Sequence, residues 1–187
     1  MYQVIRSDPV RAKRFADTMA AFTSGKGFDL SHIIDNYNWS EVADGLLVDV
    51  GGAGGHLAIS LAKHFESLHV VVQDLEGSMA GAAVPEQLAA RVRFMAHDFF
   101  TPQPVTADVY YFRWIFHNWP DKYCIQILRC LIPALKDGAR VVIHDICMPE
   151  PGMMAHWREK QMRYGLNGCT FPPLKSPLTV NDPVEWI

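Results

Sequence analysis

The sequence predicts an α/β fold, a doubly wound parallel sheet, and three observations carry that expectation. Short apolar runs recur along the chain, such as Leu46–Val50, broken only at Asp49, and Val70–Val72, which is how strands buried on both faces read. Stretches with helical spacing lie between them, notably Asp121 to Leu135 with Ile125, Leu128, Leu131, Ile132 and Leu135 on one stripe. The first apolar run opens into Gly51-Gly52-Ala53-Gly54-Gly55, a segment able to bend sharply from strand to helix.

Each element can be justified in order. Asp8 to Phe22 reads as a helix, with an Asp-Pro start and Phe15, Met19 and Phe22 on one side. Ser24-Gly25-Lys26-Gly27 breaks it. A short helix follows, with Ser31 placed to cap it and Ile33, Ile34 and Tyr37 aligned. Residues 1–45 therefore form an N-terminal helical segment. Leu46–Val50 is strand one, and Leu57 to Phe65 is the helix behind the glycine turn. Val70-Val71-Val72 is strand two, ending at Gln73-Asp74. Glu76 to Ala90 is a weaker helix, interrupted by Pro85. Val92–Ala96 is strand three, leading into His97-Asp98, and Asp108–Phe112 is strand four. The helix from Asp121 ends at Lys136-Asp137-Gly138, and Ala139–Ile143 is strand five. Strands separated by crossovers give a parallel sheet with right-handed connections over residues 46–152. Residues 153–187 differ: a polar helical piece, Ala155 to Tyr164, precedes Pro172, Pro173, Pro177 and Pro183. No strand pattern stands out there, and an extended tail is expected.

Composition narrows the function classes. The 187 residues carry 17 basic and 20 acidic side chains, a net charge of −3, with 49% hydrophobic and 11% aromatic residues. That content fills the core of one domain and excludes a disordered chain. A near-neutral balance excludes a phosphate-tracking nucleic-acid binder, which needs a basic stripe. No apolar run approaches the ~20 residues of a membrane span, and the start lacks the apolar stretch of a signal peptide. A soluble, cytoplasmic protein is expected. Cys124, Cys130, Cys147 and Cys169 form no C-x-x-C pair, which points to reduced, mostly buried thiols. The eight histidines show neither H-x-x-H nor H-E-x-x-H, so no metal is expected.

In an open parallel sheet, ligands bind beyond the carboxyl ends of the strands, where strand order reverses. Glycines there admit a ligand that a Cβ would push away. The spacing matches neither the G-x-G-x-x-G of dinucleotide sites nor the G-x-x-x-x-G-K-[ST] phosphate loop. Asp74 closes strand two at the separation where an acid accepts hydrogen bonds from ribose hydroxyls. Asp98 closes strand three before Phe99-Phe100, an acceptor beside flat apolar surface that suits an adenine. Taken singly, the turn also fits close packing, and each acid fits a helix cap. Taken together with Asp49, the acids at three successive strand ends fit an adenosine without a diphosphate.

The ordered segments LLVDVGG, VVQDL, MAHDFF, DVYYFRWIFHNWPDKYCIQILRCLIPAL and ARVVIHDICMPEPG resemble a known family. They look like the S-adenosyl-L-methionine-dependent O-methyltransferases of the caffeic-acid and flavonoid type, especially their fungal secondary-metabolism relatives. The resemblance runs from about Arg14 to Gly152 and implies a Rossmann-like class I methyltransferase core with S-adenosyl-L-methionine as cofactor. By that resemblance, Gly51 and Gly52 line the methionine portion, Asp74 holds the ribose, Leu75 is a further cofactor-binding residue, and Asp98 with Phe99 borders the adenine. Arg113 contacts the cofactor, and His117 is the catalytic base.

The implied reaction is attack of a substrate hydroxyl on the sulfonium methyl group, so the protein mainly aligns nucleophile, carbon and sulfur. A phenol titrates at about 10 and benefits from a base at neutral pH, a task suited to histidine with its ordinary pKa of about 6.5. Without the resemblance, a histidine ahead of a helix is as readily a cap. Trp114, Phe116 and Trp119 fit either the wall of an aromatic acceptor site or core packing.

The sequence departs from the family in three places. About 45 residues precede strand one, where the family carries a dimerisation domain. The usual His-Asp-Trp reads His117-Asn118-Trp119. Beyond Pro149-Glu150-Pro151-Gly152 the family pattern fades, so the closing antiparallel strands are expected to be missing and the chain to be truncated at both ends. The acid that orients the histidine belongs to that last segment, where Glu159 is a conceivable remnant. The first functional expectation is an O-methyltransferase acting on a hydroxylated aromatic small molecule, phenolic or polyketide-like. The second is a methyltransferase-like protein without methyl transfer: a truncated inactive copy, a partner subunit or a cyclase-type helper. Apolar surface left by a missing domain favours a homo- or hetero-oligomer. A dehydrogenase using NAD is disfavoured by the glycine spacing and by the lack of Tyr-x-x-x-Lys.

Overall fold

A computed structural model describes Val10, Arg14 and residues 29–42, 44–145, 152–153, 155–157 and 184–186. The chain divides into two compact units, Met1–Glu41 and Val42–Ile187. In the first unit, helix α1 spans Ser31–Asn36. Ser31 does not cap it. That residue lies inside the first turn, and its N–H donates to Asp29 Oδ1 at 2.8 Å. A carboxylate two residues upstream supplies the acceptor in its place. Trp39 Nε1 donates to the Ile33 carbonyl at 2.9 Å, joining two buried residues of this unit. Of the helix expected over Asp8 to Phe22, Val10 and Arg14 are described and helical; the rest lies outside the described residues.

The second unit is built on a sheet of β1 (Leu46–Val50), β2 (His69–Asp74), β3 (Val92–Ala96), β4 (Ala107–Arg113), β5 (Leu135–His144) and β6 (Val184–Trp186). Strand order is β3-β2-β1-β4-β5-β6, and every pairing is parallel. The chain moves outward from β1 to β3, then returns across the sheet to β4. Strand order therefore reverses between β1 and β4, and in such sheets ligands bind beyond the carboxyl ends at that point.

Side-chain alternation gives each face its own cover. Val48, Val50, Tyr110, Phe112, Val141 and Ile143 pack in one cluster with Ile127 and Leu131 of α3 (Asp121–Leu131). On the opposite face, α2 (His56–His64) packs on β2 and β3, burying Leu57, Ala58, Leu61 and Ala62. The hydroxyl of buried Tyr110 accepts from the Ala107 N–H at 2.9 Å and lies 2.7 and 2.8 Å from the carbonyls of Val105 and Ala134. One phenol thus fixes the entry of β4 against the end of the α3 connection.

Four further expectations need correction. Glu76 to Ala90 is not a helix but two short 3-10 turns, Glu76–Met79 and Glu86–Leu88. Gly81, at φ +80°, and Pro85 break the run between them. Helix α3 stops at Leu131, before Pro133, which lacks the N–H that another turn would need; Leu135 starts β5 instead. The tail contributes β6, a strand too short to leave a period in the sequence. Of the helix expected over Ala155 to Tyr164, His156 and Trp157 are helical and the remainder lies outside the described residues. Cys124 and Cys130 are half-buried rather than buried; Cys147 and Cys169 lie outside the described residues. Among the described residues, no helix is long and apolar enough to cross a membrane.

Candidate active site

The candidate site lies at the ends of β1, β2 and β4 and the loops behind them. Register places Asp49 beside Tyr111, and Val50 between Gln73 and Phe112. The chain leaves β1 at Gly51, whose φ of +77° lies in the left-handed region that glycine tolerates. A Cβ there would collide with Ile115 and lie 4.0 Å from Phe99, so the turn converges with the loops after β3 and β4. Gly52 is required for space. Its Cβ would sit 2.5 Å from Asp49 Oδ2 and 2.8 Å from Val72. The N–H groups of Gly51 and Gly52 donate to the Gln73 carbonyl at 2.7 and 3.1 Å, which ties the turn to β2.

Asp74 is held in place by the backbone around it. Its Oδ2 accepts from the Ala53 N–H at 3.0 Å and its Oδ1 from the Leu75 N–H at 2.7 Å. Each oxygen keeps a second lone pair for a ligand hydroxyl. Asp98 is exposed, and its loop closes on itself: Oδ1 accepts from the Phe100 N–H at 3.0 Å, and the Asp98 carbonyl accepts from the Thr101 hydroxyl at 2.7 Å. Phe99, on the same loop, lies beside Gly51.

Asp49 behaves differently from the other strand-end acids. It is 2% exposed, and its Oδ2 has no hydrogen-bond partner. Loss of hydration pushes its carboxyl up to about 7; the Arg113 cation opposes that rise and the Asp74 charge adds to it. A buried, orphaned acceptor pressed against the glycine turn is costly unless a ligand supplies a donor or cation. Arg113 lies with its guanidinium 4.0 Å from the centre of the Trp114 ring. Burial lowers the pKa of Arg113, while Tyr111 and Asp49 counteract that effect.

Beyond β4 the chain turns at Trp114, a non-glycine residue at φ +56°. That conformation costs an L-residue about 1–2 kcal/mol and persists only where surroundings enforce it. Two bonds do so: the Trp114 N–H donates to the His144 carbonyl at 3.0 Å, and Asn118 Nδ2 donates to the Trp114 carbonyl at 3.0 Å. The turn delivers His117 in a single 3-10 turn, Phe116–Asn118. His117 Nδ1 lies 2.5 Å from Asp145 Oδ1, and the His117 N–H donates to Asp145 Oδ2 at 3.1 Å. An imidazole whose Nδ1 proton faces a carboxylate presents Nε2 as its free base. Both side chains are about one-tenth exposed, at 11% and 9%.

Asp145 is a partner that sequence reasoning missed. An orienting acid is expected beyond Gly152, with Glu159 a conceivable remnant, and Glu159 lies outside the described residues. A signal was available, because Asp145 follows the apolar run ARVVI just as Asp74 and Asp98 follow theirs. The aromatic residues near His117 pack among themselves. Trp119 meets Phe100 edge to face at 4.8 Å and Tyr123 at 5.8 Å, Phe116 lies 5.1 Å from Phe112, and Trp114 lies under Arg113.

A parallel sheet that gathers a glycine turn, strand-end acids and a histidine–carboxylate pair at its switch point has the Rossmann-like fold of the class I methyltransferases. The chain belongs to the O-methyltransferase domain family, whose model matches residues 1–165. It is 44% identical over 167 residues to a grayanic acid biosynthesis cluster O-methyltransferase of Cladonia grayi, covering 87% of this chain and 37% of that protein. It is 45% identical over 170 residues to a chlorophenol O-methyltransferase of Trichoderma longibrachiatum, covering 87% of this chain and 36% of that one. The chain thus spans less than two-fifths of the length of these relatives. Among solved structures, it superposes with a TM-score of 0.66 and 30% identity on an O-methyltransferase (NcsB1) from neocarzinostatin biosynthesis, over 76% of this chain and 43% of that one. That protein was crystallised with S-adenosyl-L-homocysteine and 1,4-dihydroxy-2-naphthoic acid.

Proposed function

We propose that this chain is the cofactor-binding, base-bearing part of an S-adenosyl-L-methionine-dependent O-methyltransferase that methylates a hydroxyl of a phenolic or polyketide-like metabolite. The observation that carries this reading is the His117–Asp145 pair on the sheet edge that also holds the glycine cradle. The residues present fit the cofactor. Gly51 and Gly52 let the turn fold close against Ile115, Asp49 and Val72, where a Cβ would clash, and the orphaned Oδ2 of Asp49 is an acceptor suited to a cationic amino-acid end. Asp74 would hold the ribose, with Leu75 beside it, Asp98 and Phe99 the adenine, and Arg113 would contact the cofactor beside Asp49.

When bound, S-adenosyl-L-methionine supplies a methyl group already activated by its sulfonium. What remains for the chain is to position the acceptor and move one proton. His117 Nε2 takes the proton of the acceptor hydroxyl, and Asp145 at Nδ1 holds the ring and offsets the positive charge that develops on it. The acceptor class draws support from the chlorophenol enzyme among the relatives and from the naphthoic acid bound by NcsB1.

Titration of the purified chain with S-adenosyl-L-methionine should give saturable heat that is lost in Asp74→Ala. Methyl transfer to a panel of phenols should collapse in His117→Ala while cofactor affinity is kept. No binding to the wild type at millimolar cofactor would overturn this reading.

A further inference from the structure

We propose that Asn118 is a positioning residue for His117, its side-chain amide locking the Trp114 turn and so setting the imidazole against Asp145. The inference rests on the reading of His117 as the base. The family resemblance leads to an aspartate at this position, next to the histidine; this chain carries an amide instead.

The geometry gives the amide a task that a carboxylate cannot perform. Asn118 Nδ2 donates to the carbonyl of Trp114, four residues back, at 3.0 Å. Trp114 holds a left-handed conformation, and its own N–H is pinned to the carbonyl of His144. The next residue, Asp145, binds both the ring and the backbone N–H of His117. The loop from Trp114 to Asn118 is therefore fastened to the end of β5 at two points, and the Asn118 bond closes the span between them. If that bond opens, Trp114 can relax from its left-handed state, and the 3-10 turn carrying His117 is free to rotate away from Asp145. The partner is a carbonyl oxygen, so only a donor serves. An ionised aspartate would set acceptor against acceptor.

Two near-isosteric variants, Asn118→Asp and Asn118→Leu, remove the donor with and without adding charge. The first readout is the proton NMR resonance of His117 Nδ1–H, which a short bond to a carboxylate shifts far downfield and which His117→Gln identifies by its loss. Both variants should lose this resonance or move it upfield. S-adenosyl-L-methionine affinity should stay within about twofold of wild type, and kcat for methyl transfer should fall about tenfold or more at unchanged acceptor KM, as expected for a misplaced catalytic group. The two variants are independent, so a fold lost in one leaves the other to decide. An unshifted resonance, a shift in the aspartate variant alone, or no downfield resonance in the wild type would overturn the proposal. The NMR readout needs neither cofactor nor turnover, so a wild type that binds no cofactor sinks the functional reading and leaves this test standing.

Discussion

Both oxygens of the Asp145 carboxylate serve His117, Oδ1 the ring at 2.5 Å and Oδ2 the backbone N–H at 3.1 Å. The first contact fixes the tautomer and the ring, while the second fixes the loop that carries them. Replacing Asp145 with Asn keeps the shape but offers Nδ1 a neutral partner that can also turn a donor toward it. We expect kcat to fall about 10²- to 10⁴-fold with cofactor affinity unchanged. Steady-state methyl transfer to a phenol, paired with calorimetric titration of S-adenosyl-L-methionine, checks this. A loss of cofactor affinity equal to the loss of kcat would place Asp145 in the cofactor pocket instead.

Gly52 is a point where the turn has no room for a side chain. A methyl group there must displace Asp49 Oδ2 and Val72, both on rigid strands. Gly52→Ala should destabilise the chain by about 1–3 kcal/mol, the usual cost of overpacking, and weaken cofactor binding as well. Urea denaturation gives the first number and calorimetry the second. A variant as stable as wild type would show that the turn can shift without loss.

How much of this was legible depends on how local each cause is. β1 and β3 fall at the expected residues because strands buried by their neighbours select apolar runs that sequence displays directly. Asp74 and Asp98 were legible for the same reason, as acids that end such runs. The stretch from Glu76 to Ala90 misled because helical spacing survived there while Gly77, Gly81 and Pro85 set the backbone. The His117–Asp145 pair joins residues 28 positions apart, and it exists because β4 and β5 are sheet neighbours in a register that sets Arg113 beside His144. No local pattern carries that relationship. The role of Asn118 likewise depends on the left-handed Trp114, which the sequence does not announce.

Gln73 and Gln103 form a closed pair of amides, each Nε2 donating to the other's Oε1 at 2.8 Å, with both side chains buried. Gln103 Oε1 also accepts from the Val105 N–H at 3.1 Å. The pair fastens the loop bearing Asp98 and Phe99 to the strand that ends in Asp74. Gln73→Leu or Gln103→Leu alone strands a buried amide and should cost about 1–3 kcal/mol. The double variant removes both and should lose less than the sum of the single losses, a coupling of about 0.5–3 kcal/mol measurable by urea denaturation. Strictly additive losses would mean that the two amides act independently.

Asp49 gives the fold a pH dependence of unusual sign. Burial holds its carboxyl near 7 in the folded chain, against about 4 for an unfolded one. Between those values the folded state keeps a proton that the unfolded state releases, so the stability linked to this group is full below about pH 4 and lost as pH rises through 7. His97 and His144 work in the opposite direction. Burial lowers both, so their contribution is present at high pH and is lost on acidification. The wild-type curve mixes these trends, and Asp49→Asn separates them by removing only the first. Between about pH 5 and pH 8, the Tm of wild type should fall relative to that of Asp49→Asn, and the gap should level off once the wild-type carboxylate has ionised. Thermal unfolding followed by circular dichroism at matched ionic strength measures the gap. Parallel curves across that range would mean that Asp49 has already ionised below it and that the buried acceptor is paired in the folded protein.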